Sequence, residues 1–369
     1  MSPGNLSHPP PLPGYPLGAG VRTSLGKGGE PESGSPFPAK TERPGEGLGG
    51  EVTRLPALDV ARGIAVVGMI YLHLVGSKLA SILEGRAAAL FFLLAGMAWA
   101  LQAQRTPPPM KLARRALTLA VFGVLFHRLV WPTEVLVPLA LMMQLCFWLW
   151  RAGQRAVWSV LVLILAVTPL VQTHLAHFVS TDWLDDGSHL ADHGLGGATF
   201  RALVFDGNYP ILPWLALPLL GVLAVAGAGP TTERARRCFW GALVVAIAAQ
   251  LYAERLGPCT WVPTTLPFLL RIGSSAATVI AGLLWWDGAR GLPRITQPLA
   301  RLGRASLTHY VLHIVAVFAP LRLLYPDEDW PVHLGLWAFF GYVLLALPLT
   351  TLWFRHFSHG PLESLWARA

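Results

Sequence analysis

Charge is what this sequence has least of. Asp, Glu, Lys and Arg make up 13% of its 369 residues, about half of the roughly 25% that a soluble domain carries. A water-soluble fold of this length needs more charged surface, so a soluble enzyme is excluded. Cysteine is scarce as well. Cys146, Cys238 and Cys259 fall in separate segments without metal spacing, which excludes a disulfide framework and a cysteine-held zinc site. The net charge of +8 is scattered over short loops. No basic stripe interleaved with aromatics exists, so nucleic acid is not the expected partner. From Met1 to about Gly50 the chain lacks the apolar stretch of a signal peptide. It is rich in Pro, Gly and Ser, with PPPLPG at Pro9–Gly14, and cannot bury a core. The reading is a disordered cytoplasmic tail over 1–50 and one domain over 54–369.

What the sequence does have is apolar length. Apolar residues form 53% of the chain, gathered in runs near 20 residues. At about 1.5 Å per residue each run can cross a hydrocarbon core about 30 Å thick. Spans are expected near 58–79, 86–104, 112–131, 134–150, 156–174, 209–228, 237–253, 265–286, 301–321 and 333–354. The predicted fold is therefore an all-α, polytopic helix bundle of about ten transmembrane helices, solvated by the lipid bilayer. With the tail inside, only Lys78, Arg86, Arg128, Arg201, Arg255, Arg271 and Arg322 fall outside. The other 21 of the 28 Lys and Arg residues are cytoplasmic, as the positive-inside rule expects, and both termini lie in the cytoplasm. The longest outer loop, about 175–208, carries His177, Asp182, Asp185, Asp186, His189, Asp192, His193 and Asp206. It reads either as a solvated loop or as a place for a metal or a polyhydroxyl acceptor.

Ionisable groups inside spans are costly and usually face a protein interior or a wet cavity. The first span holds Asp59, Arg62 and His73. Arg62 and His73 are eleven residues apart, about three turns, so they share a helix face roughly 16 Å apart. Asp59 precedes Arg62 by three and can pair with it. One face thus offers a cation at the cytoplasmic mouth and an imidazole deep in the membrane. The alternative is a helix-end ion pair with a satisfied core histidine. The ninth span opens with Arg301 and Arg304 and continues to His309 and His313, four apart on one face. No Glu stands between these histidines in zincin fashion and no third ligand is evident, so a metal is not expected. His309 serves either as support for His313 or as polar glue between helices. Arg304 is either a phosphate ligand or an anchor. Tyr209–Trp214 (YPILPW) reads as a span opening with Trp214 in the interfacial aromatic belt.

Three of these segments resemble known membrane acyltransferases. RGIAVVGMIYLH at Arg62–His73 resembles the first-helix signature of the acyltransferase-three family and of heparan-α-glucosaminide N-acetyltransferase. GRASLTHYVLH at Gly303–His313 is similar to a late-helix motif of the bacterial YeiB-like proteins (domain of unknown function 418), which have Asn at the place of His309 and Gln at that of His313. YPILPW and GPLESLW at Gly360–Trp366 also look YeiB-like or heparan-acetyltransferase-like. The resemblance implies a plasma-membrane acyltransferase moving an acyl group, acetyl first of all, from cytoplasmic acyl-CoA to a sugar or other hydroxyl or amine acceptor. It implies His73 as base or transient acyl carrier and His313 as the second catalytic candidate. Arg62 and Arg304 would serve the CoA, and Asp59 and His309 would support them. Acyl-CoA would be a co-substrate, with no permanently bound cofactor. The competing reading of the same charges is a transporter or flippase for a small or lipid-linked solute. Acceptor identity and oligomeric state stay open.

Overall fold

The computed structural model describes residues 55–75, 83–104, 109–129, 135–179, 202–226, 230–255, 259–262, 264–326 and 330–368. The proposed tail over 1–50 and most of the His/Asp-rich loop, residues 180–201, lie outside them. All regular structure among the described residues is helical. In chain order it comprises α1 (Pro56–Val75), α2 (Arg86–Ala103), α3 (Pro109–Leu129), α4 (Leu136–Ala152), α5 (Gln154–Val179), α6 (Ile211–Trp214), α7 (Ala216–Val225), α8 (Thr232–Arg255), α9 (Leu266–Arg290), α10 (Gln297–Arg304), α11 (Ser306–His313), α12 (Ala319–Leu324), α13 (Val332–His356) and α14 (Pro361–Arg368). A π-helical turn, Ile314–Phe318, joins α11 to α12.

Each segment expected to span is helical over most of its described residues. Six stretches are long and apolar enough to cross a membrane: α1, α2, Gln154–Val171 of α5, α9, Ser306–Leu324 and α13. Two more, Leu136–Ala152 and Ile211–Val225, are apolar but shorter. In α3 and α8 the apolar stretch is curtailed by charge, from Lys111, Arg114 and Arg115 in one and Glu233, Arg234, Arg236 and Arg237 in the other. Large apolar side chains such as Val162, Val244, Leu344 and Leu349 lie exposed on helix faces. That is a liability in water and the expected state against lipid. The chain is a membrane protein.

The helix α1 is the axis of the domain. It packs against α2, α9, α10, α11 and α13, and one side of it enters each of two apolar clusters. Leu58, Ala61 and Ala65 join a core with α2, α4, α5, α7 and α9. Val66, Ile70 and Leu74 join a second core with Tyr310, Ile314, Phe318, Trp330 and Phe339. The backbones of α1 and α10 approach closely. A Cβ on Gly63 would collide with the Leu299 carbonyl, and one on Gly303 would collide with the Asp59 carbonyl. Only glycine lets two backbones come this close.

Two segments depart from the sequence expectation. The ninth predicted span is not one helix: α10 stops at Arg304, Ala305 takes φ −106° and ψ 32°, and α11 starts afresh at Ser306. The cause is a carboxylate from α14, described below. Trp214 is no interfacial anchor. It is fully buried, and its indole N–H donates to Thr264 Oγ1 at 2.8 Å, which satisfies the one polar atom that would otherwise seek the interface.

The glycine contact yields a direct prediction. Gly303→Ala is expected to destabilise the folded protein by roughly 1–3 kcal/mol through overpacking. Gly341→Ala on α13, where a Cβ meets nothing within 4 Å, is expected to be neutral or slightly stabilising. Thermal unfolding of the two variants in detergent, followed by loss of the monodisperse peak, separates them. Equal melting temperatures would refute the close-contact account.

Candidate active site

The crossing of α1 and α10 sets arginines beside it and histidines beyond it. Arg62 adjoins Gly63 and Arg304 adjoins Gly303. Arg62 donates to Asp59 Oδ1 at 2.7 Å, with the Asp59 side chain 8% exposed against 25% for Arg62. The pairing expected from the i, i+3 spacing is thus formed. Arg304 donates to the Ser358 carbonyl at 2.7 Å and lies over the Phe354 ring. It anchors the connector between α13 and α14.

Ten residues beyond each glycine, His73 Nδ1 and His313 Nε2 stand 2.9 Å apart, with their rings stacked at 5.2 Å between centroids. The tautomers follow from the partners. His313 Nδ1 is 2.8 Å from the His309 carbonyl, which can only accept, so Nδ1 carries the hydrogen and Nε2 of the neutral ring is an acceptor. His73 Nδ1–H therefore donates to it, and the lone pair of neutral His73 resides on Nε2. His313 is fully buried, whereas His73 keeps some exposed surface. Phe318 packs against the His73 ring.

The i, i+4 face shared by His309 and His313 does not make them a pair. The His309 ring is spanned by α13, with Tyr342 Oη at 2.8 Å from Nδ1 and Thr350 Oγ1 at 2.8 Å from Nε2. Only its carbonyl reaches His313. The partner of His313 comes from α1, 240 residues away. Among the described residues no three His, Cys, Asp or Glu side chains gather as metal ligands.

A cavity of about 520 Å³ opens beside this array between α1, α2, α3, α4, α10, α11 and α14. Arg62, Arg115, Arg304 and Glu363 are charged members of its lining; Phe92, Leu119, Leu136, Leu139 and Met143 belong to its apolar part. Arg115 donates to Gln102 Oε1 at 2.8 Å and sits over the Trp366 ring. Its buried Nε has no hydrogen-bond partner among the described residues. Buried donors normally have partners, so an unmet one in a cavity wall invites an anionic oxygen. The histidine pair is not part of the lining. Tyr310 connects the two, because it lines the cavity and presents its ring to His313 at 6.2 Å, edge to face.

Sequence reasoning named Asp59, Arg62, His73, Arg304, His309 and His313, and all six fall along the α1–α10–α11 seam. It missed Arg115, Tyr310 and Glu363. Arg115 falls among the 21 Lys and Arg residues read as cytoplasmic, and Glu363 lies inside GPLESLW without a role. The one usable signal was Glu363 itself, an acid in an otherwise basic, apolar C-terminal segment.

Two family models match the chain, and together they cover residues 54–369. A protein family of unknown function, DUF418, matches residues 227–369, the part that holds Arg304, His313 and Glu363. The family described as heparan-alpha-glucosaminide N-acetyltransferase, catalytic, matches residues 54–253, the part that holds Asp59, Arg62 and His73. No curated protein matches the chain. The second match covers 200 of the 369 residues, more than half, and the chain belongs to the heparan-alpha-glucosaminide N-acetyltransferase catalytic family of membrane proteins.

Proposed function

We propose that this chain is a membrane acetyltransferase that takes an acyl group, acetyl first of all, from cytoplasmic acyl-CoA and delivers it to a hydroxyl or amine of a sugar or other acceptor. One observation carries the reading: a cavity lined by three arginines lies beside a histidine pair at the α1–α10–α11 seam, joined to it by Tyr310. CoA is a polyanion on a long, thin arm. Guanidinium groups suit its phosphates, and the apolar walls suit the arm. In this reading residues 54–369 act as one domain that crosses the plasma membrane ten times, with both termini in the cytoplasm. The arginines at the N-terminal end of α1 and in the first turns of α3 support that orientation.

The chemistry follows from the tautomers. The acceptor hydroxyl or amine gives its proton to Nε2 of His73 as its oxygen or nitrogen attacks the thioester carbonyl. The new C–O or C–N bond forms, the C–S bond breaks, and the thiolate leaves with the proton now held by His73. While His73 is an imidazolium, its Nδ1–H strengthens the bond to the lone pair on His313 Nε2. The same Nε2 could carry the acyl group itself if transfer runs in two steps. Either route needs His313 as hydrogen-bond acceptor, and the His309 carbonyl keeps it one. Asp59 holds Arg62, and Arg304 meets the phosphates from the opposite helix.

Two measurements test this. Acetyl-CoA titrated into the detergent-purified protein should bind saturably by calorimetry. Arg115→Ala and Arg62→Ala should each weaken binding about tenfold or more, the scale of a lost charge-assisted hydrogen bond. Absence of binding across several acyl-CoAs would sink the donor assignment and favour solute transport instead. In the second, His73→Ala should bind acetyl-CoA like the wild type while acceptor-dependent thiol release falls by roughly 10²–10⁴. Undiminished release would remove His73 from the reaction.

A further inference from the structure

We propose that Glu363 is a positioning residue for the histidine pair: from α14 it caps the first turn of α11 and so fixes where His313 meets His73. This rests on the reading of that pair as the chemical centre.

In an unbroken helix the amides of Leu307 and Thr308 would donate to the carbonyls of Gly303 and Arg304. Neither does. Leu307 N–H donates to Glu363 Oε1 at 2.6 Å and Thr308 N–H to the same oxygen at 3.0 Å. The Thr308 hydroxyl donates to Oε2 at 2.6 Å and accepts the Leu362 N–H at 3.1 Å. The carboxylate thus satisfies orphan donors that a helix start always leaves, with a charge suited to the positive end of the dipole. It also explains why α10 and α11 are two helices. Sequence supplies no local cap, since Ala305 stands where Ser, Thr, Asp or Asn would serve.

Glu363 can hold because α14 is itself tied down. Arg304 grips the Ser358 carbonyl, and the Trp353 indole donates to the His359 carbonyl at 2.8 Å. At the far end the Trp366 indole donates to the Arg115 carbonyl at 3.1 Å. Gly360 lies against the carboxylate, where a Cβ would strike Glu363 Oε2. His313 is six residues beyond Leu307, about 9 Å up the helix. A swing of roughly 10° at the cap would move it by about 1.5 Å, enough to break a 2.9 Å contact. Tilt at α11 therefore translates into loss of the pair, while the cavity walls on α2, α3 and α4 stay where they are.

The test uses the full chain in nanodiscs with ¹⁵N-labelled histidine. Solid-state NMR reads the coupling between His73 Nδ1–H and His313 Nε2, and calorimetry with acetyl-CoA and thiol release are run on the same preparations. Glu363→Gln should lose the coupling and lower kcat by about 10- to 100-fold, while acetyl-CoA still binds saturably. Thr308→Val, which removes one of three arms, should fall between it and the wild type. An intact coupling and unchanged kcat in Glu363→Gln would overturn the proposal. So would loss of acetyl-CoA binding together with the coupling, because Glu363 would then be a general support of the fold. If Glu363→Gln cannot be recovered folded, an unchanged coupling in Thr308→Val overturns it as well. Should the wild type bind no acyl-CoA, the donor assignment fails, yet the coupling still decides the role of Glu363.

Discussion

The meeting of two backbones at Gly63 and Gly303 is the contact on which the rest of the site depends. It presses α1 and α10 together with no side chain between them, so the residues next to each glycine are brought to the same level. Those residues are Arg62 and Arg304. Ten residues further on along each strand of the seam, about 15 Å at helical rise, stand His73 and His313. Registering two parallel helices at one point registers them again at the other, provided that the second helix keeps its direction across the break at Ala305. Arg62 and Arg304 beside this approach both line the cavity, and the histidine pair lies further along the same seam.

Much of this geometry was legible in the sequence because it is periodic. Helical spacing alone put Arg62 and His73 on one face and paired Asp59 with Arg62. Apolar length located helices, six stretches of which are long and apolar enough to cross a membrane against about ten expected, while charge curtails the apolar stretch in α3 and α8. What periodicity could not give was partnership across the chain. The i, i+4 spacing of His309 and His313 reads as a pair, yet the two rings turn to different helices, one to Tyr342 and Thr350 and the other to His73. Trp214 was misread for a related reason. An indole near a span end looks like an interfacial anchor until Thr264, fifty residues away, takes its N–H.

The broken ninth segment was the least legible feature, because the cause lies far from the break. Nothing in Ala305 or Ser306 demands a new helix. Glu363 does, by capturing two amides that helix propagation would otherwise use. A local propensity argument has no access to such a capture, since the weight falls on a residue some 55 positions later.

The distance in sequence between His73 and His313 has a consequence in time. The chain separates them by 240 residues. At an elongation rate of about 5–20 residues per second the ribosome reaches His313 on the order of tens of seconds after His73. Throughout that interval α1 sits in or near the bilayer with an imidazole that lacks its eventual neighbour, and the cap on α11 arrives later still. The histidine pair is thus absent until the second half of the chain is in place.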